Sequence, residues 1–384
     1  MAWNQIIGND RVKKILQKAI AENRISHSYL LTGIEGIGKE AIAIQFAKTV
    51  NCLKPIIKKN SADSCDNCDS CKRFNDLSHQ NFEMIFSLPT GKSADLKNDS
   101  PLSKLSDEQL NNVISEIQKK AKNNYHKISI PNANQIKVNA IREVKRKLVM
   151  SDATYGRRVV LIVRADEMTT EASNAFLKTL EEPHPNVTIF ITTAYSDSIL
   201  PTIMSRCQQI KCSPIEEKIL AEHLIQKHGY SQAEANFAAV FGQGSYLRAL
   251  DAMNHNMQDL RFDIVSTLRT SLKRRNYRFD MMTQIEKLLS KKDKNHLETI
   301  LMILLYWMKD VFNLIHLGEN ARIINSDQHD SLVKFANNFK DSNLNLAISE
   351  IEKSINLIER NINQQLIFVP LFIKLRRIFL QKNF

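Results

Sequence analysis

The chain has 384 residues, 43% hydrophobic and 24% charged, enough apolar mass for two or three globular domains. Its opening, MAWNQIIGND, carries no basic-then-apolar leader, and its longest clean apolar run, residues 300–308, falls short of the roughly 20 residues a bilayer span requires; a membrane protein is excluded on this reading and a cytoplasmic location expected. The formal net charge of +12 fits either an acidic partner such as nucleic acid or a solvated basic exterior, since the lysines and arginines are spread over 119–127, 142–158 and 374–382.

Ten glycines and nine prolines are few for this length, so most of the chain is expected to be helical, with strands where short β-branched runs lie between turn signals. Residues 12–21 have helical spacing, 29–32 form a short apolar strand ending at Gly33, and 40–50 resume the helical period after a glycine-rich turn. The stretch 88–131, rich in Ser, Asn, Asp and Lys, reads as an insertion holding one helix, because Ser106 is suited to cap the segment 109–121. Residues 158–163 form an apolar strand after the first residue, 171–180 a helix stopped by Pro183, and 187–192 another buried strand. Strands separated by helices predict a parallel α/β sheet. From Ser213 onward strand-like runs disappear, and Pro214 marks a boundary. A short helical segment ends near 242–245, and a further domain begins around residue 256, with long helices at 296–317 and 344–360; the run 300–308 reads as a helix buried in a bundle.

The segment Gly33-Ile34-Glu35-Gly36-Ile37-Gly38-Lys39-Glu40 follows a strand and opens a helix, the context in which a G-x4-G-K turn wraps backbone amides around phosphates. Gly33, Gly36 and Gly38 permit close backbone approach, and Lys39 supplies a neutralising cation. At the next position a Ser or Thr would offer a hydroxyl to Mg²⁺; Glu40 instead sets a carboxylate at the positive end of the helix, where it competes with phosphate. Two readings follow, an ATP/Mg²⁺ site of weak affinity and a strand-to-helix turn without ligand. Hydrolysis also needs acids directly after a buried strand. Val163 and Arg164 stand there, and the pair Asp166-Glu167 comes three residues late, where the expectation is helix-entry residues lying off the phosphate line.

Cys52-x12-Cys65-x2-Cys68-x2-Cys71 supplies four thiolates at spacings that let neighbouring sulfurs reach one tetrahedral ion, Zn²⁺ or an iron–sulfur centre. Clustered cysteines in a chain this long fit metal ligation in a reducing compartment better than a disulfide framework. Cys207 and Cys212 lie apart and read as small buried residues.

Three stretches carry a family resemblance: Asn174-Ala175-Phe176-Leu177-Lys178-Thr179-Leu180-Glu181-Glu182-Pro183, Ser205-Arg206-Cys207, and the four-cysteine insertion after the phosphate-loop helix. With Ile7-Gly8-Asn9, Ser26-His27-Ser28-Tyr29-Leu30 and Gly244-Ser245-x2-Arg248-Ala249-Leu250, the first 250 residues resemble bacterial clamp-loader subunits; the helical remainder matches by character alone. The resemblance implies an α/β AAA+ domain, a RecA-like parallel sheet with flanking helices, at 1–212, carrying the zinc module at 52–71 and the insertion at 88–131. A small helical lid at 213–255 and an all-α collar at 256–384 would follow. It also implies membership of a five-subunit ring with gamma/tau and delta subunits that opens a sliding clamp and closes it around primed DNA, and it favours structural Zn²⁺ over an iron–sulfur centre. The altered catalytic positions point to an accessory subunit rather than a hydrolysing one. The insertion is not a usual feature of the family.

In that family the Ser-Arg-Cys arginine, here Arg206, reaches a neighbour's ATP and stabilises charge on the γ-phosphate; small flanking residues are expected to leave its guanidinium free to project, the alternative being a surface arginine in a local salt bridge. Arg248 resembles the family's second sensor of nucleotide. Two other functions compete with an accessory ring subunit: an active AAA+ ATPase, in which Asp166 or Glu167 reaches Mg²⁺, and a zinc-dependent nucleic-acid binder.

Overall fold

The computed structural model describes residues 2–90, 101–149, 156–253, 255–290, 294–359 and 363–380. Part of the expected insertion (91–100), part of the basic segment 142–158 (residues 150–155), Arg360 and Lys382 lie outside the described residues. The chain divides into two compact units, Met1–Leu220 with Gln243–Leu247, and Ala221–Gly242 with Arg248–Phe384.

In the first unit the elements run α1 (Asp10–Ala21), β1 (Ser28–Thr32), α2 (Lys39–Val50), β2 (Ile56–Lys58), β3 (Ser61–Asp63), α3 (Asp69–Asn75), β4 (Phe82–Ile85), α4 (Asp107–Lys122), α5 (Val138–Val149), β5 (Arg158–Ile162), α6 (Thr170–Glu181), β6 (Val187–Thr193), α7 (Pro201–Met204) and β7 (Gln208–Lys211). Among the described residues, five strands form one sheet in the order β4-β5-β6-β1-β7, every pairing parallel, while β2 and β3 make a separate antiparallel hairpin. The three strands with continuous apolar runs take the centre. All seven residues of β6 and four of five in β5 are buried, as expected when helices cover both faces of a parallel sheet. The flanking strands β4 and β7 have no strand signal of their own: Phe82–Ile85 and Gln208–Lys211 carry charged or amide residues that mask a strand period.

Helix α2 is buried on nearly every side, Gln45, Lys48 and Thr49 included. Gln45 and Lys48 face the segment that carries the cysteines, because Gln45 Nε2 donates to Asp63 Oδ1 at 3.0 Å and to Ser64 Oγ at 3.1 Å, and Lys48 pairs with Asp66 and donates to Asn75 Oδ1 at 2.8 Å. Helix α4 begins where its capping residue predicts. Gln109 N donates to Ser106 Oγ at 3.3 Å and Ser106 N donates to Gln109 Oε1 at 3.0 Å, a reciprocal box that satisfies two amides at the helix start.

The second unit is helical: α8 (Glu217–His228) leads into it, followed by α9 (Gln232–Gly242), α10 (Tyr246–Asp251), α11 (His255–Ser271), α12 (Tyr277–Leu288), α13 (Lys294–Leu317), α14 (His329–Asn338), α15 (Leu344–Glu359) and α16 (Gln364–Leu380). By length and composition α13 is apolar enough to cross a membrane. Its Ile300, Leu301, Leu304, Met308 and Val311 are instead fully buried in a core with Ala347 and Ile351 of α15 and Phe368 and Phe372 of α16, the bundle burial expected of the run 300–308.

Candidate functional site

Strand β1 lies between β6 and β7, so its carboxyl end opens onto the sheet edge where parallel α/β sheets take ligands. The glycine-rich turn starts there and ends as the N-terminus of α2, with Gly38 as N-cap at φ 94°. A methyl group on Gly38 would meet the ring of Tyr125 at 2.8 Å, so both the backbone angle and the space demand glycine. The Gly36 carbonyl accepts from Tyr246 N at 3.1 Å, which ties residues 243–247 to this unit. Lys39 is turned onto its own loop, donating to the carbonyls of Gly33 at 2.6 Å and Ile34 at 2.8 Å. Burial pushes its pKa below the ordinary lysine value.

A cavity of about 250 Å³ lies over the turn, and Lys39, Glu40, Lys120, Arg164, Asp166 and Glu167 all line it. Asp166 and Glu167 stand in a short turn just ahead of α6, and their carboxylates are engaged by protein groups on the cavity wall. Arg164 takes a left-handed conformation, φ 51°, and a single 3-10 turn over Ala165–Glu167 folds the chain back toward the strand end. Thr193 Oγ1, at the end of β6, donates to Asp166 Oδ1 at 2.5 Å. Glu167 pairs with Arg164 Nε at 2.7 Å and accepts a hydrogen bond from the Ser87 hydroxyl.

Helix α4 and the residues after it supply partners that sequence leaves unassigned. Lys120, buried on α4, pairs with Glu40 and donates to the His126 carbonyl at 2.7 Å. Lys127 pairs with Glu35 at 2.8 Å, and Lys119 with Glu116 at 2.8 Å. By sequence these lysines belong to a diffuse DNA-facing or solvated charge; in the fold two of them neutralise carboxylates of the phosphate loop. Tyr125 is buried beside them. Its hydroxyl accepts from Ile7 N at 2.8 Å and its ring meets Tyr246 edge-on at 4.7 Å between centroids. No local motif marks Lys120, Tyr125 or Lys127, and none marks Arg164 or Thr193 as cavity residues. The one available signal is the density of lysines within an insertion following a phosphate loop that carries two glutamates.

Arg206 does not project freely. Its guanidinium donates to Glu181 Oε1 at 2.8 Å and to the Thr202 carbonyl at 3.0 Å, since the turn after α7 brings it beside the end of α6. The arginine thus takes the local salt bridge rather than the free projection, although the side chain stays partly exposed at 36%. Arg248 lies on α10, in the second unit. Cys212 is buried and Cys207 half-buried against the sheet core.

The four sulfurs of Cys52, Cys65, Cys68 and Cys71 lie within 4.8 Å of one another. The separations Cys52–Cys68 (3.9 Å), Cys65–Cys71 (4.0 Å) and Cys52–Cys71 (3.6 Å) sit near the roughly 3.8 Å edge of a tetrahedron with metal–sulfur bonds of about 2.3 Å. The amide of Cys65 points at Cys52 Sγ at 3.2 Å, and backbone amides of Asn67 and Cys68 pull the Cys65 thiol down to about 6. The donor set fits a tetrahedral soft-metal ion held by thiolates, with Zn²⁺ the ion that suits it.

A parallel five-stranded sheet with a glycine-rich turn leaving a central strand, lysine at the head of the next helix and a following all-helical region define an AAA+ P-loop architecture. A family model described as "DNA polymerase III, delta subunit" matches residues 8–216, more than half of the chain, and a second, for the C-terminal part of the delta subunit, matches residues 278–377; the chain belongs to this family of DNA polymerase III clamp-loader subunits. It is 24% identical to DNA polymerase III subunit delta' of Bacillus subtilis over 355 residues, 92% of this chain and 92% of the relative. It is 34% identical to subunit delta' of Haemophilus influenzae over 137 residues, 36% of this chain and 42% of that one. Subunit gamma of Buchnera aphidicola subsp. Schizaphis graminum is 24% identical over 261 residues, covering 67% of this chain and 58% of that one. Among solved structures, a gamma subunit-related protein of Thermotoga maritima aligns with 96% of this chain and 98% of its own at 13% identity and a TM-score of 0.38.

Proposed function

We propose that this chain is a delta-prime-type accessory subunit of a replicative clamp loader, one that helps load a sliding clamp onto primed DNA without turning over ATP itself. The observation that carries the reading is the state of the phosphate loop. The position after Lys39 holds a carboxylate engaged by buried Lys120, and Lys39 is bonded to its own loop. A loop in this arrangement lacks the metal-side hydroxyl, and its lysine is turned onto the loop's own carbonyls instead of toward a phosphate. In this reading the cysteine cluster holds one structural Zn²⁺, which braces the hairpin against α2. Residues 1–212, 213–255 and 256–384 act as AAA+ domain, lid and collar; gamma/tau and delta subunits complete a cytoplasmic ring of five; Arg206 is lent to a neighbour's ATP; and Arg248 is a vestigial second sensor.

A second reading has one observation in its favour: Asp166 lines the same cavity as Lys39, as a metal-side acid in an active ATPase would. One assay separates them. The purified chain is mixed with ATP and Mg²⁺, alone and then in a ring reconstituted with gamma/tau and delta subunits. Turnover by the isolated chain above a Lys39→Ala control selects the ATPase; turnover that appears only in the ring, together with clamp loading, selects the accessory subunit.

A further inference from the structure

The insertion is the largest feature the proposed function leaves without a task. We infer that its C-terminal end, residues 120–128, is an internal occupant of the phosphate-loop site, so that nucleotide enters only when this segment is displaced. The inference rests on the reading of that loop as a nucleotide site and goes beyond it by naming what fills it.

The contacts of four residues carry it. The Tyr125 ring lies against Gly38, the residue that opens α2, and its hydroxyl takes the Ile7 amide at 2.8 Å. Lys120 is spent on Glu40 and on the His126 carbonyl, and Lys127 on Glu35. Arg164, at the end of β5, donates to the Ile128 carbonyl at 3.1 Å. An incoming triphosphate would therefore find two cations already neutralised, with a buried ring packed on the loop. About 250 Å³ of space remains over the loop, at the low end for a small-molecule pocket. Displacing the segment would also expose Tyr125 and Lys120, which are 4% and 1% exposed. A site whose open state is rare binds with an affinity reduced by the fraction open. The segment thus works as a lock on the site, and a partner that pulled α4 away would unlock it.

The test uses the full chain, with calorimetric titration of ATP in the presence of Mg²⁺ and hydrogen exchange at the Ile7 amide. Wild type is expected to bind weakly and to keep Ile7 protected. Tyr125→Ala is expected to bind at least about 10-fold tighter, the gain when a competent state held at a tenth or less becomes the main one. Since Tyr125 is buried, Lys127→Ala, at a half-exposed position, provides a second variant, expected to gain in the same direction. Tight wild-type binding with Ile7 still protected would overturn the lock, as would folded variants that bind no tighter. Turnover keeps the two readings apart. A wild-type chain that binds ATP tightly but does not hydrolyse it removes the lock and leaves the accessory role standing, whereas steady hydrolysis removes the accessory role.

Discussion

Glu40, at the second residue of α2, is ion-paired with Lys120 of α4, eighty positions later in the chain. The lysine is 1% exposed and the glutamate 21%, so the pair is buried on one side and open to the cavity on the other. It joins the phosphate loop to α4, and each charge is tolerable there because the other is present.

Removing one partner leaves a buried charge without its counterion. Glu40→Ala should destabilise the chain by about 3 kcal/mol, the low end for breaking a buried pair since Glu40 is partly exposed. The double variant Glu40→Ala with Lys120→Met should recover much of that loss. Urea denaturation of the two variants and of Lys120→Met closes the cycle. Additive losses would mean that the pair contributes little.

Glu116 gives the insertion a pH dependence. Burial alone would raise its pKa, but hydrogen bonds from Lys119, the Ser129 amide and His126 outweigh burial and hold it down at about 2. A carboxyl whose folded value lies below its ordinary value of about 4.3 contributes stability that is fully present above that value and is lost as pH falls through the folded one. Loss is therefore expected between about pH 5 and pH 2, at most on the order of 3 kcal/mol. Hydrogen exchange of α4 and of the Ser129 amide across that window measures it. Glu116→Gln should be weaker at neutral pH and flatter across the window; an unchanged profile in the variant would assign the acid sensitivity elsewhere.

Metal analysis should find about one zinc per chain, lost when Cys65 and Cys68 are both changed to Ser. Chelation should unfold the β2–β3 hairpin first and lower the melting temperature of the first unit, because metal binding to a site absent from the unfolded chain is folding free energy. Unaltered zinc content in the double variant would remove these cysteines as ligands.

Arg206→Ala removes a partly exposed ion pair with Glu181 and should cost about 0.5 kcal/mol or less, leaving ring assembly intact. If Arg206 serves a neighbour's ATP, DNA- and clamp-stimulated ATPase of the reconstituted ring should fall. The loss should be well under the roughly 10³-fold of isolated arginine fingers, since one chain serves one of several sites. Arg206→Lys should rescue poorly, because the ammonium lacks the planar two-pronged donor. Glu181→Ala is informative in the other direction: with the side chain released from its local partner, unchanged or higher turnover is expected. Equal turnover in wild-type and Arg206→Ala rings at matched assembly would leave this subunit a structural role.

The α/β sheet, the phosphate loop, the cysteine cluster and the Ser106 cap are legible in the chain itself, because each is a local pattern: a β-branched run between turns, glycines at fixed offsets, cysteines two residues apart, a hydroxyl three residues before an amide. The buried run 300–308 is legible for the same reason, since its density of apolar residues leaves no polar face to expose. The strands β4 and β7 are not, because their place in the sheet comes from β5 and β1 beside them rather than from their own residues.

What tertiary structure alone decided was which charges meet. Sequence distance says nothing of the approach of Lys120 to Glu40, of Lys127 to Glu35 or of Tyr125 to Ile7 across 118 positions. The return of Asp166 toward the strand ends likewise depends on one left-handed residue, Arg164, which no spacing rule anticipates. Hydrophobic period and metal-ligand spacing are properties of neighbouring residues, and a chain displays them before it folds. The pairing of distant charges depends on the path taken by every element between them, so the sequence supplied the site's candidate groups and the fold chose their partners.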